Sequence, residues 1–130
     1  MKSILLIEDN ADILANLTEY FQLEGYHIFS TNNGKKGIEM AMQFIPDLII
    51  CDMPRPGIDG YEVLRLLISN LNIAEIPFIF STTLCESINK SAALEFGADD
   101  YIIKPYELED MLTMAEDCIR SGSKRQKCIA

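Results

Sequence analysis

Four short apolar runs, each ending in polar residues, constrain the fold of this chain more than any other feature of its sequence. The runs and the residues that end them are Ile4–Ile7 with Glu8-Asp9, Leu48–Cys51 with Asp52, Phe78–Phe80 with Ser81-Thr82, and Tyr101–Ile103 with Lys104. Continuous apolar runs of this length are typical of strands buried in a parallel sheet. Because ligands of open α/β sheets bind at the carboxyl ends of the strands, we expect these polar groups to converge on one edge of one sheet.

Helical and strand patterns alternate along the chain, which predicts one α/β domain over residues 1–120. Gly25 supplies the left-handed residue that ends the first helix, and a weaker second strand follows at Tyr26–Thr31. The predicted helices are Ala11–Glu24, Lys36–Phe44, Tyr61–Leu71, Glu86–Phe96 and Glu107–Arg120. Five strands alternating with five helices indicate a flavodoxin-like, doubly wound (βα)5 fold with a parallel sheet between two helical layers. Residues 121–130 are polar and basic without periodicity, and are predicted to be a frayed end or the start of a linker.

The charge of the chain favours a cationic partner over nucleic acid. Its 130 residues include 20 acidic and 11 basic ones, a net charge of −9, which argues against direct binding to nucleic acid or to an anionic membrane. No apolar run approaches the roughly 18–20 residues of a membrane span, and the start of the chain has no secretory signal pattern. The 4 cysteines are scattered without a Cys-x-x-Cys motif, so a reducing, cytoplasmic location without disulfide bonds is predicted.

The carboxylates of Glu8, Asp9 and Asp52 are the candidate metal ligands. If the first and third strands are neighbours, these groups lie close together and raise one another's pKa unless a cation neutralises them. Ligation by oxygen alone favours Mg²⁺ over zinc, and a backbone carbonyl at Pro54 could supply a further oxygen. The alternative for Glu8-Asp9 alone is a solvated acidic patch at the rim of a loop.

Lys104 and Thr82 are candidate residues for binding a phosphoryl group. The Lys104 amine offers a positive charge to a phosphoryl oxygen or a carboxylate, and the Thr82 hydroxyl can donate a hydrogen bond to a phosphoryl oxygen. Taken singly, each residue has an ordinary alternative as a surface lysine or a β-branched strand residue. Their position at successive strand ends makes the combined pattern a strong indication of a phosphoryl site.

The chain resembles the receiver domains of two-component response regulators over about Lys2 to Arg120. The family's acidic pair after the first strand is matched by Glu8-Asp9, its acceptor aspartate by Asp52, its Ser or Thr after the fourth strand by Thr82, its aromatic residue before the lysine by Tyr101, and its Lys-Pro pair by Lys104-Pro105. The spacings from Asp52 to Thr82 and from Thr82 to Lys104 also match the family.

This resemblance implies that Asp52 is a nucleophile that accepts a phosphoryl group. The donor would be a phosphohistidine of a sensor histidine kinase or phosphotransfer protein, or a small phosphodonor. The resemblance also implies a Mg²⁺ cofactor held by Glu8, Asp9, Asp52 and the Pro54 carbonyl, and a Lys104 amine that pairs with a phosphoryl oxygen.

A conformational switch is a further implication of the resemblance. Thr82 would move to hydrogen-bond the phosphoryl group, and Tyr101 would turn inward into the vacated space. The surface of the fourth helix, fifth strand and fifth helix would then repack, and a downstream effector protein would read the change. Receivers often pair through this face, so a homodimer that phosphorylation strengthens is a hypothesis.

Several positions depart from the family's pattern. Pro54 stiffens the loop two residues past the nucleophile, and Arg55 stands where methionine often precedes the loop proline. Pro54 and Leu84 flank the site in this family, so we expect an altered rate of dephosphorylation of undetermined sign. Thr83 replaces the usual Ala or Gly and would crowd access to the phosphoryl pocket.

A haloacid-dehalogenase-like phosphatase is the enzymatic alternative, since those enzymes also combine an aspartate nucleophile, Mg²⁺, a Ser or Thr and a lysine. They place a second aspartate two residues after the nucleophile as the general acid, and here that position is Pro54, which cannot transfer a proton. We therefore expect a signalling switch rather than an enzyme. A receiver that only binds partners would be expected to lack the acceptor aspartate or the lysine. Dinucleotide binding is disfavoured because no Gly-rich loop follows the first strand.

The remaining polar and aromatic residues near the strands have simpler interpretations. Tyr106, after the Lys-Pro pair, is predicted to pack against the core. His27, the sole histidine, is predicted to be structural or exposed. Asp99 and Asp100, which precede the fifth strand, are predicted to be solvated.

Overall fold

Five parallel strands form one sheet in the computed structural model, which describes residues 1–52, 60–83, 94, 95 and 97–123. The strands are β1 (Ser3–Glu8), β2 (His27–Thr31), β3 (Leu48–Asp52), β4 (Phe78–Thr83) and β5 (Asp100–Lys104). Their order across the sheet is β2-β1-β3-β4-β5. This is the flavodoxin-like order, in which the winding reverses between β1 and β3, so the predicted fold class is confirmed.

The described helices lie on both sides of the sheet and are α1 (Ala11–Leu23), α2 (Gly34–Phe44), α3 (Gly60–Ser69) and α4 (Leu108–Ser121). α4 is the fifth helix of the sequence prediction, because the helix predicted over Glu86–Phe96 lies almost entirely outside the described residues. Residues 124–130, which include most of the predicted polar tail, also lie outside the described residues. Gly25 follows α1 with φ +95°, the left-handed residue predicted there. Among the described helices, none combines the length and hydropathy that a membrane span requires.

Two apolar layers cover the sheet and bury both of its faces. The layer on the α2–α3 side includes Leu5, Ile49, Phe78, Phe80, Leu64 and Leu67. The layer on the α1–α4 side includes Ile4, Ile50, Ile79, Phe21, Met111 and Ala115. Alternate strand residues belong to opposite layers, which explains why the strands appear as continuous apolar runs in the sequence. Cys51 is buried in β3 and belongs to the layer on the α2–α3 side.

The strand register places the predicted site residues at one edge of the sheet. β1 and β3 are adjacent, and Glu8 pairs with Asp52 at their carboxyl ends. Cys51 pairs with Phe80 in the next pair of strands, so Thr82 lies one residue beyond the level of Asp52. The polar residues that end the apolar runs therefore converge as the alternation of elements predicted.

Asp99 is buried, and the prediction that it is solvated was wrong. It is 8% exposed, and its Oδ2 accepts a hydrogen bond from the Phe78 N–H at 2.9 Å. The Asp99 N–H in turn donates to the Phe78 carbonyl oxygen at 2.8 Å. Because a buried N–H without an acceptor is costly, Asp99 stabilises the first residue of β4. The sequence shows that Asp99 precedes β5, but not that β4 begins beside it.

Candidate functional site

The carboxylates of Glu8, Asp9 and Asp52 form a cluster at the carboxyl edge of β1 and β3. One oxygen from each of the three groups lies within 4.8 Å of the others. Glu8 and Asp52 are 3% and 5% exposed, whereas Asp9 is exposed to solvent. The pairing of β1 with β3 places Glu8 beside Asp52, and Asp9 is the residue that follows β1. The structure therefore brings together the three side chains predicted as metal ligands.

The Lys104 amine contacts two carboxylates of this cluster. Its Nζ donates a hydrogen bond to Glu8 Oε1 at 2.9 Å and forms an ion pair with Asp52. The Lys104 side chain is 13% exposed, so solvent screens these contacts weakly. One positive charge thus partly offsets two buried negative charges that belong to different strands.

Burial raises the pKa of the Glu8 carboxyl above its usual value. The Lys104 amine acts in the opposite direction, as does the Asn10 N–H, which donates to Glu8 Oε2 at 3.2 Å. The neighbouring Asp9 raises the pKa of Glu8 further. Because the net direction is upward, the effect of burial outweighs the Lys104 and Asn10 contacts.

Thr82 and Tyr101, the two predicted switch residues, are buried on the same side of the sheet. They are 2% and 8% exposed. Tyr101 belongs to the apolar layer on the α2–α3 side together with Phe80. Since strand residues two apart share a face, Thr82 points to the side on which Phe80 packs. The two predicted switch residues therefore share a side of the sheet, on the neighbouring strands β4 and β5.

Part of the predicted site lies outside the described residues. Pro54 with its carbonyl, Arg55 and Leu84 fall in the ranges 53–59 and 84–93. The Thr83 side chain is also outside the description, as is most of the predicted fourth helix. The expectations for these positions, including the homodimer face, stay predictions.

Two hydroxyl groups near the site were not among the predicted site residues. Ser81 is 3% exposed, and its hydroxyl has no hydrogen-bond partner in the described part of the chain. Tyr106 packs against the layer on the α1–α4 side, as predicted, and burial raises the pKa of its phenol to about 12. The neighbouring Ser81 hydroxyl lowers this pKa, and the charge of Glu8 raises it. The sequence could have indicated these two residues only by their position, because Ser81 directly precedes Thr82 and Tyr106 follows Lys104 by two residues.

A groove of about 690 Å³ opens beside Lys104 on the α1–α4 side of the sheet. Its walls include Ile13, Leu17, Tyr20 and Leu23 of α1, together with Lys104 and Tyr106. A molecule that covered this face would therefore contact the loop that follows Lys104.

The cluster has the groups needed to bind a hard cation and a phosphoryl group. Its donors are carboxylate oxygens alone, the ligand type that Mg²⁺ prefers. Asp52 supplies a buried carboxylate that can act as a nucleophile, and Lys104 supplies an amine for a phosphoryl oxygen.

This combination of fold and site defines a class of signalling protein, and the comparison with known families agrees. The model of the response regulator receiver domain matches residues 4–116 of this chain. The chain belongs to that family, which comprises the receiver domains of two-component signalling.

Individual relatives and solved structures are similar to this chain over most of its length. The DNA-binding dual master transcriptional regulator RpaA of Synechocystis sp. is 33% identical over 120 residues, which cover 92% of this chain and 50% of that protein. This chain spans about half the length of the curated relatives it matches. The signal receiver domain of a signal transduction histidine kinase from Syntrophus aciditrophicus has a TM-score of 0.84 and 29% identity, covering 100% of this chain and 98% of that one. The receiver domain of sensor histidine kinase PA1611 from Pseudomonas aeruginosa shares the fold, with a TM-score of 0.82 and 24% identity. The match covers 92% of this chain and 98% of that one, and that structure has a magnesium ion coordinated in its active site cleft.

Proposed function

We propose that this chain is a phospho-accepting switch in which Asp52 receives a phosphoryl group from a sensor histidine kinase or phosphotransfer protein. The observation that supports this best is the contact of the Lys104 amine with both Glu8 and Asp52. Through this contact the proposed acceptor Asp52, the proposed metal ligand Glu8 and the amine of Lys104 lie together in one buried cluster. Membership of the receiver family supports the same function.

Transfer to Asp52 would be a nucleophilic displacement at phosphorus. A carboxylate oxygen of Asp52 forms the new O–P bond while the N–P bond of the donor phosphohistidine breaks. The electron pair of the broken bond stays on the imidazole nitrogen of the donor. Lys104 already contacts the acceptor carboxylate, and would exchange part of this contact for a phosphoryl oxygen.

Glu8, Asp9 and Asp52 would hold a Mg²⁺ ion, with the Pro54 carbonyl as a further ligand. Bound there, the ion would neutralise negative charge on the transferring phosphoryl group. Two observations support this proposal: the oxygen donors lie within 4.8 Å of one another, and Lys104 is the one cation that contacts the buried Glu8 and Asp52 carboxylates among the described residues.

The switch would follow from the charge of the aspartyl phosphate, about −1.5 to −2 by analogy with other phosphorylated side chains. Thr82 would donate its hydroxyl to a phosphoryl oxygen, and Tyr101 would repack with it on the α2–α3 side. A downstream effector protein would recognise the altered surface, and pairing of two copies through this surface would be a further readout. Direct binding to nucleic acid is not part of the proposal, given the net charge of −9.

We also propose that the chain acts by stoichiometric modification and not as an enzyme that turns over added substrates. The residue two positions after Asp52 is Pro54, which offers no proton for a leaving group. A cytoplasmic location belongs to the same proposal, because the scattered cysteines favour a reducing compartment.

The test is the intact mass of the protein after incubation with Mg²⁺ and acetyl phosphate. We expect the wild type to gain one phosphoryl group that is labile in base, and Asp52→Asn to gain none. Asp12→Asn, which changes an exposed aspartate in the first turn of α1, is the matched control and should be modified like the wild type. Unmodified wild type, or modification that persists in Asp52→Asn, would contradict the proposal.

A further inference from the structure

Ser81 and Tyr106 lie behind the acidic cluster on the side of the sheet opposite Thr82 and Tyr101. Phe80 packs on the α2–α3 side and Ile79 on the α1–α4 side, so by alternation Ser81 faces the α1–α4 side. Tyr106 packs against that same layer. The two hydroxyl-bearing residues therefore share a face, and the influence of Ser81 on the pKa of the Tyr106 phenol reflects their proximity.

The Ser81 hydroxyl is a buried polar group without a hydrogen-bond partner in the described residues. A buried hydroxyl in this condition is costly, so a conformation that supplies a partner is stabilised relative to the one seen here. The Tyr106 phenol oxygen is the neighbouring group that can accept the Ser81 hydroxyl proton, and a hydrogen bond of this kind acts to lower the pKa of the phenol. Closer approach of the loop after β5 to β4 would complete this hydrogen bond.

Tyr106 is also well placed to control the position of Lys104. β5 ends at Lys104, and its pairing with β4 ends there too. Pro105 is exposed, so Tyr106 is the first side chain after the strand that packs into the molecule. Whatever holds the Tyr106 ring therefore limits the movement of the loop to which Lys104 is joined.

We propose that Ser81 and Tyr106 form a positioning pair, in which the Ser81 Oγ–H donates a hydrogen bond to the Tyr106 phenol oxygen in the conformation that transfers the phosphoryl group. The bond joins the loop after Lys104 to β4, next to Thr82, and so holds the Lys104 amine where the phosphoryl oxygens arrive. This inference rests on the proposed function and adds two residues to it. Neither residue touches the phosphoryl group.

The test compares the rate of Asp52 phosphorylation by acetyl phosphate with Mg²⁺ in Ser81→Ala, Tyr106→Phe and the double variant. We expect each single variant to be about two- to tenfold slower, the rate equivalent of one neutral hydrogen bond. The double variant should be no slower than the slower single variant, because both changes remove the same bond. The maximal rate should fall while the concentration of acetyl phosphate at half-maximal rate stays unchanged.

Two further variants separate positioning from a general effect on packing. Ser81→Thr keeps the hydroxyl and should retain the wild-type rate within twofold, an outcome that loss of packing alone would not produce. Tyr20→Phe removes a phenol hydroxyl from another wall of the same groove and should leave the rate unchanged.

The failure of this inference can be told from the failure of the proposed function. Wild type that gains no phosphoryl group overturns both. The positioning pair alone is overturned if the wild type is phosphorylated on Asp52 and the single variants react at the wild-type rate. It is also overturned if the double variant is slowed by the product of the two single-variant factors. Slowing of Tyr20→Phe to the same degree as Tyr106→Phe would also overturn it.

Discussion

The Lys104 amine lies 2.9 Å from Glu8 Oε1, although the two residues belong to strands separated by β3 and β4 and by 96 positions in the chain. The contact spans the carboxyl edge of the sheet and also includes Asp52. It connects the first and last strands of the chain through side chains at the site itself. The stability of the fold and the chemistry of the site are therefore linked at Lys104.

Removal of the Lys104 amine should destabilise the protein strongly. Lys104→Met leaves the Glu8 and Asp52 carboxylates buried without their cation, and breaking such a buried pair typically costs about 3–5 kcal/mol. Urea unfolding in EDTA would measure this loss. Lys36→Met is the matched control, since the Lys36–Glu39 ion pair is 63% and 71% exposed and its removal should change the free energy of unfolding by less than about 1 kcal/mol. Equal effects of the two substitutions would contradict the assigned role of Lys104.

Magnesium ions should stabilise the folded protein through the acidic cluster. A ligand at 100 times its dissociation constant adds about 2.7 kcal/mol to the free energy of unfolding when it binds the native state only. Thermal unfolding with and without Mg²⁺ should show this increase in the wild type, and EDTA should reverse it. Asp9→Asn should greatly reduce the increase, whereas Asp12→Asn, also exposed but outside the cluster, should retain it. An increase of the same size in Asp9→Asn would argue against the proposed ligand set.

Loss of the Asp99 carboxylate should weaken the start of β4. Asp99→Ala leaves the buried Phe78 N–H without the acceptor that lies at 2.9 Å, at a cost of about 1–3 kcal/mol. Asp99→Asn keeps an acceptor oxygen at this position and should lose much less. Urea denaturation midpoints of the two variants measure the difference, and a solvated Asp99 would instead give midpoints close to wild type for both.

The stability of the protein should fall in alkali because of Tyr106. Its phenol has a folded-state pKa of about 12 against an ordinary value of 10.0, mainly because burial disfavours the phenolate. Between these pH values the native state retains a proton that the unfolded chain has released, so stability decreases as pH rises through this window. Tyr106→Phe has no such proton and should show a smaller decrease.

Ultraviolet titration of phenolate formation, together with unfolding at several pH values, would test this prediction. The chain has 5 tyrosines, and the one that ionises last in the wild type should be absent from the titration of Tyr106→Phe. The same late ionisation in the variant would assign it to another tyrosine.

Much of the fold could be predicted from the sequence because it depends on local patterns. Alternating apolar runs and amphipathic segments specify buried strands and covering helices, and the described elements agree with the predicted ones to within a few residues. The polar residues that end the runs could likewise be assigned to one edge, since parallel strands present their carboxyl ends together.

The order of the strands and the environment of each polar group were decided by the tertiary structure. The sequence does not show that Lys104 contacts Glu8 and Asp52, because that contact depends on how the strands are arranged across the sheet. Burial of Asp99 beside Phe78 depends on which strand begins next to it.

What the sequence determined by itself was therefore the kinds of element, their alternation and the set of candidate site residues, all of which follow from short-range periodicity. What only the tertiary structure decided was which charges meet, which hydroxyls are buried and which pKa values shift. Ser81 and Tyr106 show the difference, since each is ordinary in its own segment. Their proximity arises because the loop after β5 packs against the layer on the α1–α4 side, the side that Ser81 also faces.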